Sequence, residues 1–232
     1  MAVSLNLALV GDYRSSAVAH QAIPLAIARA AKHLSINVHF RWLPTNELAD
    51  LSAVRESDAV WVVPGSPYQN DDAVLATLRW VRENHKPFLG SCGGFQYAVI
   101  EYARHVLGWQ DANHAETAAG GRMVIAPLNC SLVEQRGEVR FAPGSQIARI
   151  YGAHASIEGY HCNFGVNPAF SEALEGQHLR ITSWDAAGDV RGIELTDHPF
   201  FIATLFQSER AALLEKNSPL VIAWLQAALA AR

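Results

Sequence analysis

The spacing of apolar and polar residues predicts alternating strands and helices in the first part of the chain. Short apolar runs closed by Gly, Pro or polar residues predict strands at residues 5–10, 38–43, 59–63 and 87–90. Apolar positions at helical spacing predict helices at residues 17–33, 45–47, 71–84 and from residue 96 onward. This alternation is typical of a doubly wound α/β sheet, whose sites lie beyond the carboxyl ends of the strands.

From about residue 120 the pattern changes to short strands that are separated by turns. The predicted strands lie at residues 123–126, 130–133, 147–151, 179–184, 192–195 and 200–206. The last two are expected to form a hairpin through Asp197-His198-Pro199, and residues 219–231 are expected to form a closing helix. Without a repeat or a low-complexity linker, residues 1–232 are predicted to form one mixed-sheet domain.

The amino-acid composition argues against several classes of function. Half of the 232 residues are hydrophobic, the formal net charge is -4, and the chain contains no basic run. We therefore expect neither nucleic acid nor an anionic membrane as the main partner. No apolar stretch approaches the ~20 residues of a membrane span, and the apolar start lacks the basic residues of a signal peptide. Three scattered cysteines argue against a disulfide framework and favour the cytoplasm.

One of these cysteines lies where chemistry is expected. The segment Gly90-Ser91-Cys92-Gly93-Gly94 follows an apolar strand and leads directly into a helix. A G-x-C-x-G turn of this kind resembles a nucleophile elbow, in which flanking glycines permit a tight bend that exposes the thiol. The helix N-terminus favours a thiolate and offers free N–H groups to an oxyanion. The alternative is a buried cysteine in a glycine turn with no chemical role.

Longer stretches carry a resemblance to a known family. They are Gln96–Gly108, Asp111-Ala112-Asn113, Gly120–Met123, Val166-Asn167-Pro168 and Glu194–Phe201. On these residues the chain resembles the class I (triad) glutamine amidotransferases, in particular the glutaminase domain of CTP synthase. The resemblance covers nearly the whole chain and implies a flavodoxin-like α/β fold with a mixed, mostly parallel sheet and helices on both faces. The family's ATP- and UTP-binding synthetase domain has no counterpart here, so we do not expect CTP synthesis by this chain alone.

The resemblance also implies roles for individual residues. Cys92 would be the nucleophile, and N–H groups of Gly93 and of the Gly65/Ser66 loop would form the oxyanion hole. Gln96 and Glu116 would hold the amino-acid end of the substrate.

Three departures from the family pattern affect this expectation. The family's Phe-His-Pro-Glu, which supplies the general base and the carboxylate that orients it, is Phe206-Gln207-Ser208-Glu209 here. A glutamine cannot accept a thiol proton at neutral pH, so Gln207 is left as a pocket residue. The arginine that helps to bind glutamine is replaced by Asn163, which removes a carboxylate clamp. The oxyanion loop Gly-Gly-Phe-Gly is Gly65-Ser66-Pro67-Tyr68, which narrows the site.

Two functions follow, from different classes. In the first, a Cys92-dependent hydrolase or amidotransferase acts on a glutamine-like amide and takes its base from His161, or less favourably from His154. Its partners would be an amino-acid-like substrate and a separate acceptor or synthetase subunit, with a homodimer as an option. In the second, catalysis has been lost, and the pocket binds a small molecule or the chain serves as a regulatory subunit.

Cys162 is left open as a second thiol, a metal ligand or a residue without a role. Neither cofactor nor metal is expected, since Cys92, His161 and Cys162 do not form a recognised metal-ligand spacing.

Overall fold

The computed structural model describes residues 3–232, which form a nine-stranded sheet and a smaller three-stranded sheet. The strands are β1 (Ser4–Val10), β2 (Asn37–Leu43), β3 (Ala59–Val62), β4 (Phe88–Ser91), β5 (Ala112–His114), β6 (Arg122–Pro127), β7 (Gln135–Phe141), β8 (Ala155–Tyr160), β9 (Phe164–Val166), β10 (Leu179–Asp185), β11 (Val190–Leu195) and β12 (Phe201–Thr204). The α-helices are α1 (Val18–Leu34), α2 (Ser52–Arg55), α3 (Asp71–Glu83), α4 (Gly93–His105), α5 (Gln146–Tyr151), α6 (Pro168–Leu174) and α7 (Pro219–Ala230), and 3-10 turns lie at Thr45–Glu47 and Ser208–Leu214.

The large sheet has the strand order β2-β1-β3-β4-β12-β11-β10-β7-β8. Its first five strands are parallel, and the four that follow β12 pair in antiparallel fashion. The small sheet has the order β5-β6-β9. The large sheet therefore confirms the predicted fold class, a mixed, mostly parallel α/β sheet.

Helices cover both faces of the parallel half because its central strands are buried on both sides. Every residue of β3 and β4 is buried, as expected for strands whose sequence is a continuous apolar run. Apolar side chains of α1 and α7 pack on one face, where Trp61 meets Trp224 with ring centroids 5.5 Å apart. Those of α3 and α4 pack on the other face. Each large side chain buried in this way contributes about 1.5–3 kcal/mol.

Two predicted strands of the second half are wrong. Residues 147–151 lie in α5, which begins where the Ser145 hydroxyl accepts a hydrogen bond from the Ala148 N–H and ends at Gly152 in a left-handed conformation. These two caps, together with apolar residues at positions 147, 150 and 151, favour a helical turn over a strand. Residues 130–133 form an irregular loop instead of a strand.

Four strands were missed for a common physical reason. They are β5 and β9, which have three residues each, and β7 and β8, which lie at the antiparallel end of the large sheet. In β7 most side chains are exposed or half-buried, so the strand lacks the apolar run or clean alternation by which strands are recognised. Their pairing is set by neighbouring strands instead of by local pattern.

The carboxyl ends of the parallel strands are tied together on one edge of the sheet. Asp12, just after β1, accepts hydrogen bonds from the Thr45 N–H at 2.9 Å and from the Gln69 N–H at 2.8 Å. It thereby joins the loops that follow β1, β2 and β3. The loop after β4 carries Cys92 and lies at the same edge, as the rule for parallel sheets predicts.

Candidate active site

Cys92 occupies the bend between β4 and α4 in a strained backbone conformation. Its φ is 51° and its ψ is -104°, outside the regions that L-residues ordinarily adopt. Its N–H donates to the Thr204 carbonyl at 2.9 Å, which fixes the bend to β12. Such a conformation costs about 1–3 kcal/mol and persists only where surrounding structure enforces it. The observed geometry matches that of a nucleophile elbow.

Two glycines make the bend possible through close packing. A Cβ at position 94 would lie 2.1 Å from the Val62 carbonyl oxygen, and one at position 93 would lie 2.7 Å from the Tyr68 hydroxyl and 3.0 Å from the Ser66 nitrogen. Only hydrogen fits at these distances. Within the described chain, the N–H groups of Ser66 and Gly93 donate no hydrogen bond, so both remain available to an oxyanion.

A cavity of about 380 Å³ opens in front of the thiol. Eight of the predicted site residues line it, namely Gly65, Ser66, Cys92, Gln96, Glu116, His161, Asn163 and Gln207. The other two predicted residues, Gly93 and Glu209, lie behind its wall. Residues that are distant in sequence therefore meet at one place, although their predicted roles stay predictions.

Gln96 is held in one orientation by three hydrogen bonds. Its amide nitrogen donates to the Phe164 carbonyl at 2.9 Å, and its Oε1 accepts from the Ser66 hydroxyl at 2.8 Å. Its Oε1 also lies 3.2 Å from His114 Nε2. Because its side chain is already bonded in this way, Gln96 fixes the position of the oxyanion loop. Glu116 lies nearby at the cavity wall, and burial raises the pKa of its carboxyl.

Two buried histidines near the cavity are neutral and have both ring nitrogens in use. The Nδ1 of His20 accepts from the Arg14 N–H at 2.9 Å, so its Nε2 carries the proton that is donated to the Pro64 carbonyl at 2.6 Å. The Nδ1 of His114 accepts from the Glu116 N–H in the same manner. Burial lowers the pKa of His20 and lowers the pKa of His114 to about 4. Neither ring is free to accept a thiol proton.

Gln207 and Glu209 form the base corner, the part of the site to which the resemblance assigns the family's general base. Gln207 is buried, lines the cavity and accepts a hydrogen bond from Arg210 at 3.0 Å. Glu209 is fully buried, and its Oε1 accepts from the Ser91 hydroxyl at 3.2 Å. Its Oε2 has no hydrogen-bond partner among the described residues. Burial raises the pKa of Glu209 to about 8, so this carboxyl is mostly protonated at neutral pH.

His161 forms an acid–imidazole pair at the cavity rim. Its Nδ1 lies 2.8 Å from Glu134 Oε1, and Glu134 also forms an ion pair with Arg210. The imidazole side chain is about half exposed at 56%. The backbone carbonyl of His161 accepts a hydrogen bond from the Cys92 thiol at 3.6 Å. His154 is exposed and does not line the cavity.

The lining contains cations that sequence reasoning missed. Arg14 and Arg210 both border the cavity, and Arg14 donates to the Gly65 carbonyl at 3.3 Å. Arg14 follows β1 in the loop Gly11–Ser16, so the carboxyl-end rule that located Cys92 would also have located it. Asn163 lines the cavity, and its Oδ1 accepts from the Ser131 hydroxyl at 2.8 Å. In residues 3–232, no cluster of three or more His, Cys, Asp or Glu is placed to hold a metal ion.

Comparison with known proteins agrees with this geometry. The family described as "Glutamine amidotransferase class-I" matches residues 19–207. The chain belongs to the class I glutamine amidotransferase family. Its relatives include the CTP synthase of Methanoculleus marisnigri, 33% identical over 96% of this chain and 43% of that protein, and the CTP synthase of Methanopyrus kandleri, 31% identical over 97% and 45%. The chain therefore spans less than half the length of these curated relatives.

Solved structures show the same fold. The glutaminase domain of Trypanosoma brucei CTPS, with bound acivicin, superposes with a TM-score of 0.87 at 23% identity and covers 97% of this chain and 94% of that one. A glutamine amidotransferase from Thermotoga maritima gives 0.58 at 8% identity, over 97% and 96%. The resemblance to the CTP synthase glutaminase domain is confirmed. No helix in residues 3–232 has the length and apolarity that a bilayer-spanning helix requires.

Proposed function

We propose that the protein is a cysteine-dependent hydrolase or amidotransferase that acts on a glutamine-like amide, with Cys92 as nucleophile and His161 as base. The observation that carries this proposal is the strained Cys92 bend, which opens onto a cavity of about 380 Å³. A bend that costs folding energy and is enforced by close glycine packing has a purpose in positioning a reacting sulfur. Family membership supports the same chemistry.

His161 is proposed as base because the other nearby imidazoles are occupied. His20 and His114 use both ring nitrogens, whereas among the described residues His161 forms a ring hydrogen bond only with Glu134 through Nδ1. Glu134 would hold the Nδ1 proton and leave Nε2 as the acceptor, which is the role of the carboxylate in a catalytic triad. His161 lines the same cavity as Cys92.

The proposed reaction runs through a thioester. The Cys92 sulfur gives its proton to His161 and attacks the amide carbonyl carbon, and the N–H groups of Gly93 and Ser66 stabilise the oxyanion. The C–N bond then breaks and ammonia leaves with the proton from His161. Water attacks the thioester, which releases the carboxylic acid and restores the thiol.

The amino-acid end of the substrate would lie between opposite charges. Glu116 is suited to an α-ammonium group, and Arg14 is suited to the α-carboxylate in place of the arginine that Asn163 replaces. Because this pairing differs from that of the family, a substrate other than plain glutamine is favoured. If the ammonia is transferred, a separate synthetase subunit would supply the acceptor, and we place such a complex, or a homodimer of this chain, in the cytoplasm.

A second candidate function is supported by the altered base corner. Gln207 cannot accept a proton, and Glu209 is buried and mostly protonated at neutral pH. In that case the cavity binds an amino-acid-like molecule without hydrolysing it, and the chain acts as a small-molecule-binding or regulatory subunit.

Ammonia release separates the two functions. Glutamine and a panel of γ-amides would be incubated with the wild-type chain and with Cys92→Ser, His161→Ala and His178→Ala. His178 is a matched control because its side chain is also 56% exposed and paired with a carboxylate, that of Asp197. We expect release by wild type and His178→Ala, hydroxylamine trapping of the thioester, and at least about a 100-fold loss in His161→Ala. Binding of an amide without any ammonia release would support the second function.

A further inference from the structure

The amide chemistry proposed above leaves the Cys162 thiol unused, although this thiol lies at the reaction centre. Cys162 is buried, follows His161 in the segment between β8 and β9, and lines the same cavity as Cys92. No step of amide hydrolysis requires a second thiol. Amide hydrolysis therefore does not explain why Cys162 lies in the same cavity as Cys92.

Three contacts bring the two chain segments that carry the thiols together. The Cys92 N–H is bonded to the Thr204 carbonyl, and the Cys162 thiol donates to the next carbonyl, that of Leu205, at 3.5 Å. The Cys92 thiol in turn donates to the carbonyl of His161 at 3.6 Å, and that carbonyl belongs to the peptide bond leading into Cys162. Burial raises the pKa of the Cys162 thiol well above its ordinary value, and the neighbouring Cys92 thiol raises it further.

We propose that Cys92 and Cys162 form a reversible oxidation site, in which Cys162 resolves a sulfenic acid formed at Cys92 by a hydroperoxide. In the first step the Cys92 thiolate attacks one peroxide oxygen, so that an S–O bond forms, the O–O bond breaks, and hydroxide leaves and takes a proton from solvent. The sulfur is oxidised and the peroxide is reduced.

In the second step Cys162 loses its proton and its sulfur attacks the sulfur of the sulfenic acid. The S–S bond forms, the S–O bond breaks, and water leaves with the proton. In the disulfide, the Cys92 sulfur is protected from irreversible oxidation. A thiol reductant restores both thiols. This site goes beyond the proposed function, because it requires only a reactive Cys92 and not amide hydrolysis.

Peptide mapping tests the pair directly. The reduced chain would be treated with hydrogen peroxide, its remaining thiols blocked with N-ethylmaleimide, and the digest analysed without reductant. We expect a peptide that joins the Cys92 and Cys162 segments, with two hydrogens fewer than the separate peptides and reversal by dithiothreitol. Cys130→Ser is the control, since Cys130 is exposed and outside the cavity, and the cross-link should form in it as in wild type.

In Cys162→Ser we expect no cross-link, and instead dimedone-reactive sulfenic acid or sulfinic acid at Cys92. Serine keeps a donor for the Leu205 carbonyl, so the segment should keep its path. If this variant does not fold, the wild-type digest still decides the question. Wild-type Cys92 that accumulates as its dimedone adduct or as sulfinic acid with no Cys92–Cys162 peptide, or a cross-link that involves Cys130, would overturn the proposal.

Discussion

Two corners of the site, one at Cys92 and one at Glu209, differ in how completely their groups are packed and hydrogen-bonded. At the nucleophile corner, Cys92 is bonded through its N–H and its thiol, and Gly93 and Gly94 fill spaces that admit only hydrogen. At the base corner, the buried Glu209 keeps one carboxylate oxygen without a partner in residues 3–232. An imidazole at position 207 would supply the missing contact, and glutamine does not.

This difference indicates that the two corners of the cavity are held by different forces. The elbow is enforced by packing against β3, so it persists whatever chemistry follows. The base corner depends on polar contacts, and there burial raises the pKa of Glu209 to about 8 while one of its oxygens lacks a partner among the described residues. The two corners therefore differ in what holds them, and each can be perturbed by itself.

The largest effect is expected from Gly94→Ala at the nucleophile corner. The added methyl would lie 2.1 Å from the Val62 carbonyl oxygen, and backbone on both sides must move. We expect a loss of about 3 kcal/mol or more in the free energy of unfolding, measured by urea denaturation. Gly120→Ala is the matched control, because nothing lies within 4 Å of its Cβ position. Equal stability of the two variants would show that packing does not hold the elbow.

Glu209→Gln should stabilise the protein in a pH-dependent way. The folded-state pKa of about 8 lies above the ordinary value of 4.5, so the folded state holds its proton while the unfolded state loses it. Stability is therefore lost as pH rises from 4.5 to 8, by several kcal/mol at about 1.4 kcal/mol per pKa unit. The variant should match wild type near pH 4 and exceed it by several kcal/mol at pH 9.

Urea denaturation at both pH values measures this difference. Glu138→Gln serves as control, because Glu138 is exposed and pairs only with Arg140 among the described residues. The interpretation of the base corner fails if Glu209→Gln is as pH-dependent as wild type.

Gln207→His should link Glu209 to the cavity that Cys92 shares. Its effect is expected to be smaller than those of the two preceding variants. An imidazole at this position would bond to the unpartnered oxygen of Glu209 and face the cavity that Cys92 shares. Glu209 would then ionise, and the rate of Cys92 alkylation at pH 7 should rise about tenfold or more. Iodoacetamide kinetics measure the rate, with Gln207→Asn as control. If the alkylation rate equals that of the control, the absence of a histidine at position 207 does not limit the reactivity of the Cys92 thiol.

The sequence predicted the parallel half of the fold and the elbow because both depend on local pattern. Buried strands such as β3 read as apolar runs, and the Cys92 turn carries its own glycines. At the antiparallel end, β10 and β11 were predicted, whereas β7 and β8 were not. The strand β7 is polar along most of its length and is held by pairing with its neighbours. Residues 147–151 form a helix instead of the predicted strand because Ser145 and Gly152 cap the segment, and its apolar residues fit a helical turn as well as a strand.

The resemblance predicted several residues that line the cavity, but it did not predict their contacts. Gln96, Glu116 and His161 were placed at the cavity by resemblance, but no sequence pattern showed that His161 pairs with Glu134. That contact joins the residue before β7 to the segment after β8, which lie next to each other only in the folded sheet. Arg14 was missed although its loop ends a parallel strand.

The central claim is that Cys92 is an activated nucleophile served by His161. The most direct test is the pH dependence of iodoacetamide labelling at Cys92 in wild type, His161→Ala and His178→Ala. An activated thiol is labelled rapidly near neutral pH, whereas an ordinary thiol requires pH values near ~8.5. The account predicts rapid neutral labelling in wild type and in His178→Ala, and its loss in His161→Ala. Rapid labelling in all three would contradict the role of His161, and slow labelling in all three would contradict the activated nucleophile itself.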